Sequence, residues 1–245
     1  MLHDEHRLVA ALLGAAAFAA LASRYFVQEP PRGPRLASAV TGLARFVEAT
    51  VPERGVALAD GGPWLPRRAL LEAIAVDVAY QRVLGVGLQP PLRVSADELV
   101  GLPHAQLVAS PALAIIDEHW PLVALRRQLV PDPGVAAVLP RAHPSCRTWV
   151  IAGKSRGVRA LPLVALHARL LRALASHPVG AALDLVAASC DPRASDELAR
   201  NAQGWIARSL ELGMWCALTH ADRALTHADR AASCAEAGSR LAGTG

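Results

Sequence analysis

The sequence contains none of the short motifs that mark common catalytic centres. It has no GxSxG, no HExxH, no phosphate-binding Walker loop and no GxGxxG dinucleotide fingerprint. The nearest approach to a set of metal ligands is Asp117-Glu118-His119. Adjacent residues on a helix point apart, whereas a metal needs ligands that converge, so the triplet predicts no metal site. We assign no catalytic residue and no metal or cofactor site to this chain.

Cysteine is sparse and widely spaced. The four cysteines, Cys146, Cys190, Cys216 and Cys234, include no CxxC pair. A zinc site or a disulfide framework would need closer and more regular spacing. This usage is typical of reduced thiols, and we therefore predict a cytoplasmic protein.

Lysine is almost absent, because Lys154 is the single lysine among 25 basic residues. The formal net charge is +4, and the arginines are interspersed with acids rather than gathered into a basic block. Such a charge distribution permits weak attraction to acidic partners, but it does not indicate nucleic-acid binding.

The apolar run at residues 8–22 is too short to cross a membrane. It has fifteen residues, whereas a spanning helix needs about 20. Asp4 and Glu5 precede it, at the place where a signal peptide carries positive charge. We predict a buried Ala-rich helix at about 8–28 that ends before Pro30-Pro31, with a targeting segment as the alternative.

Residues 1–139 are predicted to form an all-helical domain. Apolar residues at helical spacing indicate further helices at about 35–49 and 67–84, and a capping box at Ser95 to Glu98 opens a short helix at 96–102. The stretch from Leu107 to Leu129 is predicted as a bent core segment that is interrupted at a proline.

One acid lies on a mostly apolar helix of this domain. Asp77 has Leu70, Leu71 and Ile74 on the same predicted helix. It either faces a partner or pairs with an arginine, for which Arg82 and Arg126 are the candidates.

Residues 145–218 change period and predict a second, mixed domain. The segments 147–152 and 158–161 flank a Gly-containing turn and predict a β-hairpin. Three helices and a short return strand at 214–218 follow the hairpin. This order is that of a small winged-helix module, so we predict an α+β chain.

Residues 219–245 are predicted to be an Ala-rich, frayed tail. The heptad ALTHADR occurs at 217–223 and again, unchanged, at 224–230. The repeat places His220 and His227 seven residues apart, and two ligands at that spacing do not make a closed metal site.

Two phrases of the first domain suggest a family. The first is RYFVQEPPRGP at residues 24–34. The second is the order Ser110-Pro111, then 113–116, Trp120-Pro121-Leu122 and Leu125-Arg126. In this order the chain resembles the partner proteins of multinuclear non-heme iron-dependent oxidases, typified by the C-subunit of methanobactin biosynthesis and the HvfC/BufC proteins.

The resemblance implies an accessory subunit that works on a ribosomally made precursor peptide. The second domain would be a peptide-recognition element that binds the leader as an added strand. The iron would belong to a TIM-barrel partner, to which this chain presents a cysteine-containing core peptide. The leader-binding residues would be Arg147, Thr148, Trp149, Val150, Ile151, Val158, Arg159, Ala160 and Leu161. The partner interface would include Asp77, Tyr80, Trp120, Arg126 and Arg127.

Two other hypotheses about the function are an alternative to the accessory subunit. A winged-helix DNA-binding regulator is the alternative, although its predicted recognition helix at 191–212 balances Arg193, Arg200 and Arg208 against four acids. A purely structural scaffold is the third reading. The sequence does not determine which hairpin strand is the open edge.

Overall fold

The structure is a computed structural model that describes residues 2–30, 37–58, 64–86, 92–94, 101–129, 137–154 and 157–220. Contacts divide the chain into two compact units, Met1–Leu88 with Pro111–Val164 and Gln89–Ser110 with Ala165–Gly245. Helices are combined with antiparallel sheets, which confirms the α+β class. We call the two parts unit 1 and unit 2.

The secondary-structure elements are numbered in chain order. The helices are α1 (Leu2–Glu5), α2 (Arg7–Leu13), α3 (Ala15–Gln28), α4 (Ala37–Thr50), α5 (Arg67–Val86), α6 (Leu122–Gln128), α7 (Ala165–Leu174), α8 (Val179–Ala188) and α9 (Pro192–Glu211), with a 3-10 turn at Leu102–His104. The strands are β1 (Val56–Ala57), β2 (Trp64–Leu65), β3 (Ala105–Ala109), β4 (Leu113–Glu118), β5 (Arg147–Lys154), β6 (Gly157–Leu163) and β7 (Trp215–His220).

Unit 1 is built around α5. Helices α2, α4 and α6 pack on it, and so does the sheet of β4, β5 and β6. Its side chains Leu70 and Ile74 are buried, as is Ile151 on the sheet. Burying each side chain of this size contributes roughly 1.5–3 kcal/mol, so α5 supplies much of the apolar burial in this unit.

The predicted helix at 8–28 is broken at Gly14. That glycine has a φ of 75°, which is favourable for glycine alone, and α2 and α3 meet there at 120°. Leu8, Val9 and Leu12 of α2 are buried in the core of unit 1. In the described part of the chain no single helix is long and apolar enough to cross a membrane, although α2 and α3 counted together reach that length and apolarity.

The sheet of unit 1 has the order β4-β5-β6 with both pairs antiparallel. The predicted hairpin is confirmed, since Lys154 pairs with Gly157 and the ladder continues to Thr148 opposite Leu163. The prediction that residues 1–139 are all helical is wrong. The apolar run at 113–116 lies in β4 and pairs along β5, because a short apolar run can be a strand as readily as a helix segment.

Unit 2 combines α7, α8 and α9 with a two-stranded antiparallel sheet of β3 and β7. The three helices and the return strand are confirmed. Strand β7 pairs with β3, from Ala109 opposite Trp215 to Ala105 opposite His220. Trp215 is fully buried, and its indole N–H donates to Ser209 Oγ at 2.6 Å.

The predicted domain boundaries differ from the two units. The hairpin falls in unit 1, because β4 occupies one side of β5 and the sheet packs on α5. The three helices fall in unit 2 with β3, which lies before the predicted boundary. Residues 219 and 220 belong to β7 rather than to the tail. Most of the predicted helix at 96–102 and the tail from 221 lie outside the described residues.

The turn before β1 depends on a glycine. Gly55 has a φ of 97°, and its N–H donates to Pro52 O at 2.8 Å. A Cβ at this position would lie 1.7 Å from the carbonyl oxygen of Leu65, which is backbone and cannot swing aside. This turn therefore requires glycine.

We predict that Gly55→Ala lowers the free energy of unfolding by at least about 2 kcal/mol, since both the positive φ and the clash oppose a side chain. The matched control is Gly85→Ala on α5, where nothing lies within 4 Å of an added Cβ. The control should be neutral or stabilising by about 0.5–1 kcal/mol. Denaturant unfolding followed by circular dichroism measures both, and equal midpoints for the two variants would contradict the prediction.

Candidate functional site

The candidate peptide-binding element is the edge of the unit 1 sheet at β6. In the described residues β6 pairs with β5 alone, whereas β5 lies between β4 and β6. The central strand contains Arg147, Thr148, Trp149, Val150 and Ile151. Thr148 to Ile151 pair with β4 on one side and with β6 on the other, whereas Arg147 pairs with Glu118 of β4. The prediction of an open edge is therefore wrong for Thr148 to Ile151. Val158, Arg159, Ala160 and Leu161 lie on the edge strand.

The register of the hairpin determines which backbone groups of β6 point away from the sheet. Lys154 pairs with Gly157, and two residues separate them in the sequence. In a turn of this length the first and fourth residues are commonly hydrogen-bonded, which makes this pair a hydrogen-bonded one. Hydrogen-bonded and non-hydrogen-bonded pairs alternate along an antiparallel ladder. Arg159 and Leu161 therefore bond to β5, and the N–H and C=O groups of Val158 and Ala160 face outward.

A proline supports this assignment independently. Pro162 lies opposite Trp149, at a position where the alternation directs the backbone nitrogen outward. Proline has no N–H, so within a sheet it is found where no donor to the ladder is needed. The free edge of β6 thus offers two N–H groups, on Val158 and Ala160, and ends at Pro162.

The backbone groups of Val158 and Ala160 face away from the sheet, but the side chains of these residues face the core of unit 1. Val158 and Ala160 pack against its hydrophobic core together with Trp149. A strand added to β6 would therefore meet backbone groups more than these side chains.

Three residues of the predicted partner interface form an internal cluster instead. Asp77 is fully buried, and its Oδ1 accepts from Arg126 Nε at 2.7 Å. The Arg126 guanidinium lies 5.2 Å from the centre of the Tyr80 ring. Of the two pairing candidates, Arg126 is confirmed. Asp77 has no exposed surface with which to meet a partner, while Trp120 is half-buried and Arg127 is exposed.

Asp77 also caps α2. Its Oδ2 accepts from the backbone N–H groups of Leu8 at 2.9 Å and Val9 at 3.1 Å. These are donors that a helix leaves unsatisfied in its first turn, and the residue before α2, His6, provides no side-chain cap. Burial raises the pKa of Asp77 to about 6, against the opposing effects of Arg126 and the two N–H groups. At neutral pH the carboxyl is mostly ionised and needs Arg126.

The triplet Asp117-Glu118-His119 does not converge on one point. Asp117 accepts from Thr148 Oγ1 at 2.6 Å, whereas Glu118 is buried and accepts from the Trp149 indole N–H at 2.5 Å and the Val123 N–H at 2.9 Å. His119 donates its backbone N–H to Glu72 at 2.7 Å. Successive side chains on a strand point to opposite faces, so each member meets a different partner.

The sequence contained no indication of Glu72, and it pointed to Glu118 only as part of the triplet 117–119. Each accepts two hydrogen bonds from residues that are distant from it in sequence or lie on another element. Nothing in the periodicity of the chain signals these partners. No group of three His, Cys, Asp or Glu side chains that could hold a metal occurs among the described residues.

The predicted recognition helix of the alternative regulator is α9. On it, Arg208 pairs with Glu211 at 2.9 Å, and both side chains are mostly exposed. Asp191 caps the helix by accepting from the Ala194 N–H at 2.8 Å. This pairing reduces the positive charge that α9 could offer to phosphates.

No protein-family model matches the chain, and no curated protein matches it either.

We predict that Asp77→Ala lowers the free energy of unfolding by about 3–5 kcal/mol, because it leaves Arg126 partly buried without its partner and α2 without its cap. The double variant Asp77→Ala with Arg126→Met should recover part of this loss. Arg127→Met, an exposed neighbour on α6, is the control and should change stability by no more than about 0.5 kcal/mol. Denaturant unfolding gives all four values. An Asp77→Ala variant within the range of the control would show that the cluster contributes little.

We also predict that the isolated chain retains no stoichiometric iron or zinc after gel filtration, because the carboxylates of Glu72 and Glu118 are each occupied by hydrogen bonds. Elemental analysis of the purified protein is the measurement. About one tightly bound ion per chain would contradict the prediction.

Proposed function

We propose that the chain is the non-catalytic, peptide-holding subunit of a two-protein iron-dependent oxidase that modifies a ribosomally made precursor peptide in the cytoplasm. It would bind the leader of the precursor and dock on an iron-containing TIM-barrel partner. The open edge of β6 is the observation that carries this proposal, together with the resemblance of the sequence to such partner proteins.

The edge can hold an extended peptide through backbone groups. Val158 and Ala160 each offer an N–H and a C=O, and Pro162 adds a C=O. Each hydrogen bond contributes a net of about 0.5–1.5 kcal/mol. Five such bonds contribute about 2.5–7.5 kcal/mol before the cost of ordering the peptide, which is less than the free energy of micromolar binding, about 8.2 kcal/mol. Side-chain contacts of the leader must therefore supply the rest of its affinity.

Pro162 also restricts the register of the added strand. Pro162 has no N–H, so it cannot donate to a carbonyl group of the leader that lies opposite. That carbonyl group would stay unpaired, which costs free energy when it is buried. The proline therefore favours leaders that pair with Val158 and Ala160 and then diverge from the sheet. In this arrangement the remainder of the peptide leaves the edge near the end of β6.

The role of this chain in the reaction is to bind and orient the peptide. Holding a substrate at a fixed position beside a reactive centre reduces the entropic cost of the chemical step. The iron would be supplied by the partner, and the cysteine of the core peptide would be delivered to it. Trp120 and Arg127 remain the candidate contacts with that partner.

The test is a proline substitution at the outward-facing backbone. Ala160→Pro removes an edge donor and leaves the β5–β6 hydrogen bonds in place, so it should weaken peptide binding about ten- to a hundredfold without unfolding unit 1. The probe is a fluorescein-labelled synthetic leader peptide, and its binding is measured by fluorescence polarisation.

Two variants act as controls for this test. Ala160→Ser keeps the N–H and should bind like the parent. Arg159→Pro removes an N–H that bonds to β5, so it should lower the stability of the sheet as well as binding. A folded Ala160→Pro variant that binds the peptide like the parent would refute strand addition at β6.

A further inference from the structure

Unit 2 contains an apolar groove that the proposed peptide edge does not use. It has a volume of about 810 Å³ and lies between α8, α9 and the 3-10 turn. Its lining is mainly aliphatic and includes Leu102, Leu183, Leu198, Ala202, Ile206 and Leu210. Sites for small organic ligands have volumes of about 300–1,000 Å³ and combine a mostly apolar lining with a few polar groups. The size and the lining of this groove are those of such a site.

Two of the three polar lining residues lie near the connection between α8 and α9. Asp184 of α8 and Ser195 of α9 line the groove, and only residues 189–191 separate the two helices. Asp184 lies four residues before the end of α8, and Ser195 lies three residues after the start of α9. Each is therefore within about 6 Å of the connection along its own helix. The third polar residue, Gln203, lies about two turns further along α9.

The opposite end of the groove is apolar. Leu102 and Pro103 of the 3-10 turn line it together with Val179, the first residue of α8. Pro103 lies against the start of α8, since its carbonyl oxygen would be 3.0 Å from a Cβ added at Gly180. Asp184 is separated from Val179 by about 7.5 Å along the helix. The groove therefore has the polarity of an amphiphile, with its polar part toward the α8–α9 connection.

The charge of the groove selects the kind of head group. Asp184 is the one charged residue among the described lining residues, and it is exposed. Among the described residues its carboxylate has no hydrogen-bond or ion-pair partner. A cation beside this carboxylate is attracted, whereas a second carboxylate is repelled. The groove therefore favours a ligand with a positively charged head group.

The volume favours a small molecule over a peptide helix. The groove-lining part of α9, from Ser195 to Leu210, extends about 22 Å. A helix of that length and about 10 Å in diameter takes up about 1,700 Å³, roughly twice the volume of the groove. The groove would cover only one side of such a helix, whereas binding sites enclose most of the surface of a small ligand.

We propose that this groove binds a small amphiphile, with an aliphatic tail against the apolar lining and a protonated amine beside Asp184. Burial of the tail among residues such as Leu198 and Ile206 would supply most of the affinity. The amine would stay partly in water, because Asp184 is exposed, so its contribution is the smaller one. This inference does not rest on the peptide-holding function.

The test is displacement of a fluorescent apolar probe from the full-length chain. N-phenyl-1-naphthylamine is bound first, and decylamine, decanol or decanoate then competes at neutral pH and low ionic strength. Decylamine should bind about two- to fivefold more tightly than decanol, as expected for an exposed ion pair, and decanoate should bind most weakly. Octylamine should bind about tenfold more weakly than decylamine, since each buried methylene changes the affinity by up to about fourfold.

Substitutions on α9 locate the site. Ala199→Trp fills the groove from an exposed lining position and should weaken decylamine and decanol binding at least about tenfold. Gly204→Trp is the matched control, because it adds the same side chain outside the lining, where nothing lies within 4 Å of an added Cβ. Circular dichroism confirms folding, and Ala207→Trp, at a second exposed lining position, takes the place of an Ala199→Trp variant that does not fold.

Substitution of the acid tests the head group. Asp184→Asn should make decylamine and decanol bind equally, whereas Asp196→Asn, at an exposed acid of α9 outside the lining, should keep the preference for the amine. Equal binding of the three ligands by the parent chain, or binding that a folded groove-filling variant leaves unchanged, would overturn the proposal. So would a chain that binds an amphipathic helical peptide but no decylamine, or one that binds neither the probe nor decylamine.

Discussion

The buried carboxylate of Asp77 is the interaction on which unit 1 depends. It joins three elements, because it lies on α5, caps α2 and pairs with Arg126 of α6. A seven-residue helix is marginal by itself, so α2 requires satisfied donors in its first turn and burial of its apolar face. Once Asp77 is buried, its charge requires Arg126, since an unpaired charge in the interior is costly.

Helix α6 is also capped by an acid that lies on another element. That helix also has seven residues and no cap from its own preceding residue, which is Pro121. Glu118 of β4 supplies the cap by accepting from the Val123 N–H, and its second oxygen accepts from the Trp149 indole. In each case a short helix is completed by an acid from a different element. Asp77 therefore connects α2 and α6 to α5, and Glu118 connects α6 to the sheet.

The open edge of β6 and the apolar groove of unit 2 are two separate surface features of the described residues. The first consists of backbone groups, and its position is defined by Pro162 and the hairpin register. The second consists of apolar side chains on α8 and α9. A peptide that binds by strand addition and an occupant that binds by apolar burial make different contacts. The two proposals can therefore fail independently.

The sequence by itself determined the local elements: the hairpin, α4, α5, the three helices of unit 2 and the strand β7, whose periodicity and turn residues are local properties. It did not determine β4, because its short apolar run is compatible with helix or strand until β5 pairs with it. The sequence also did not determine whether Asp77 is buried or faces a partner, since both kinds of acid have the same local pattern. Only tertiary structure separated the hairpin from the helices that follow it, and showed that β6 is the edge strand while β5 is enclosed. Strand pairing and burial depend on residues far apart in the chain, and periodicity carries no information about those contacts.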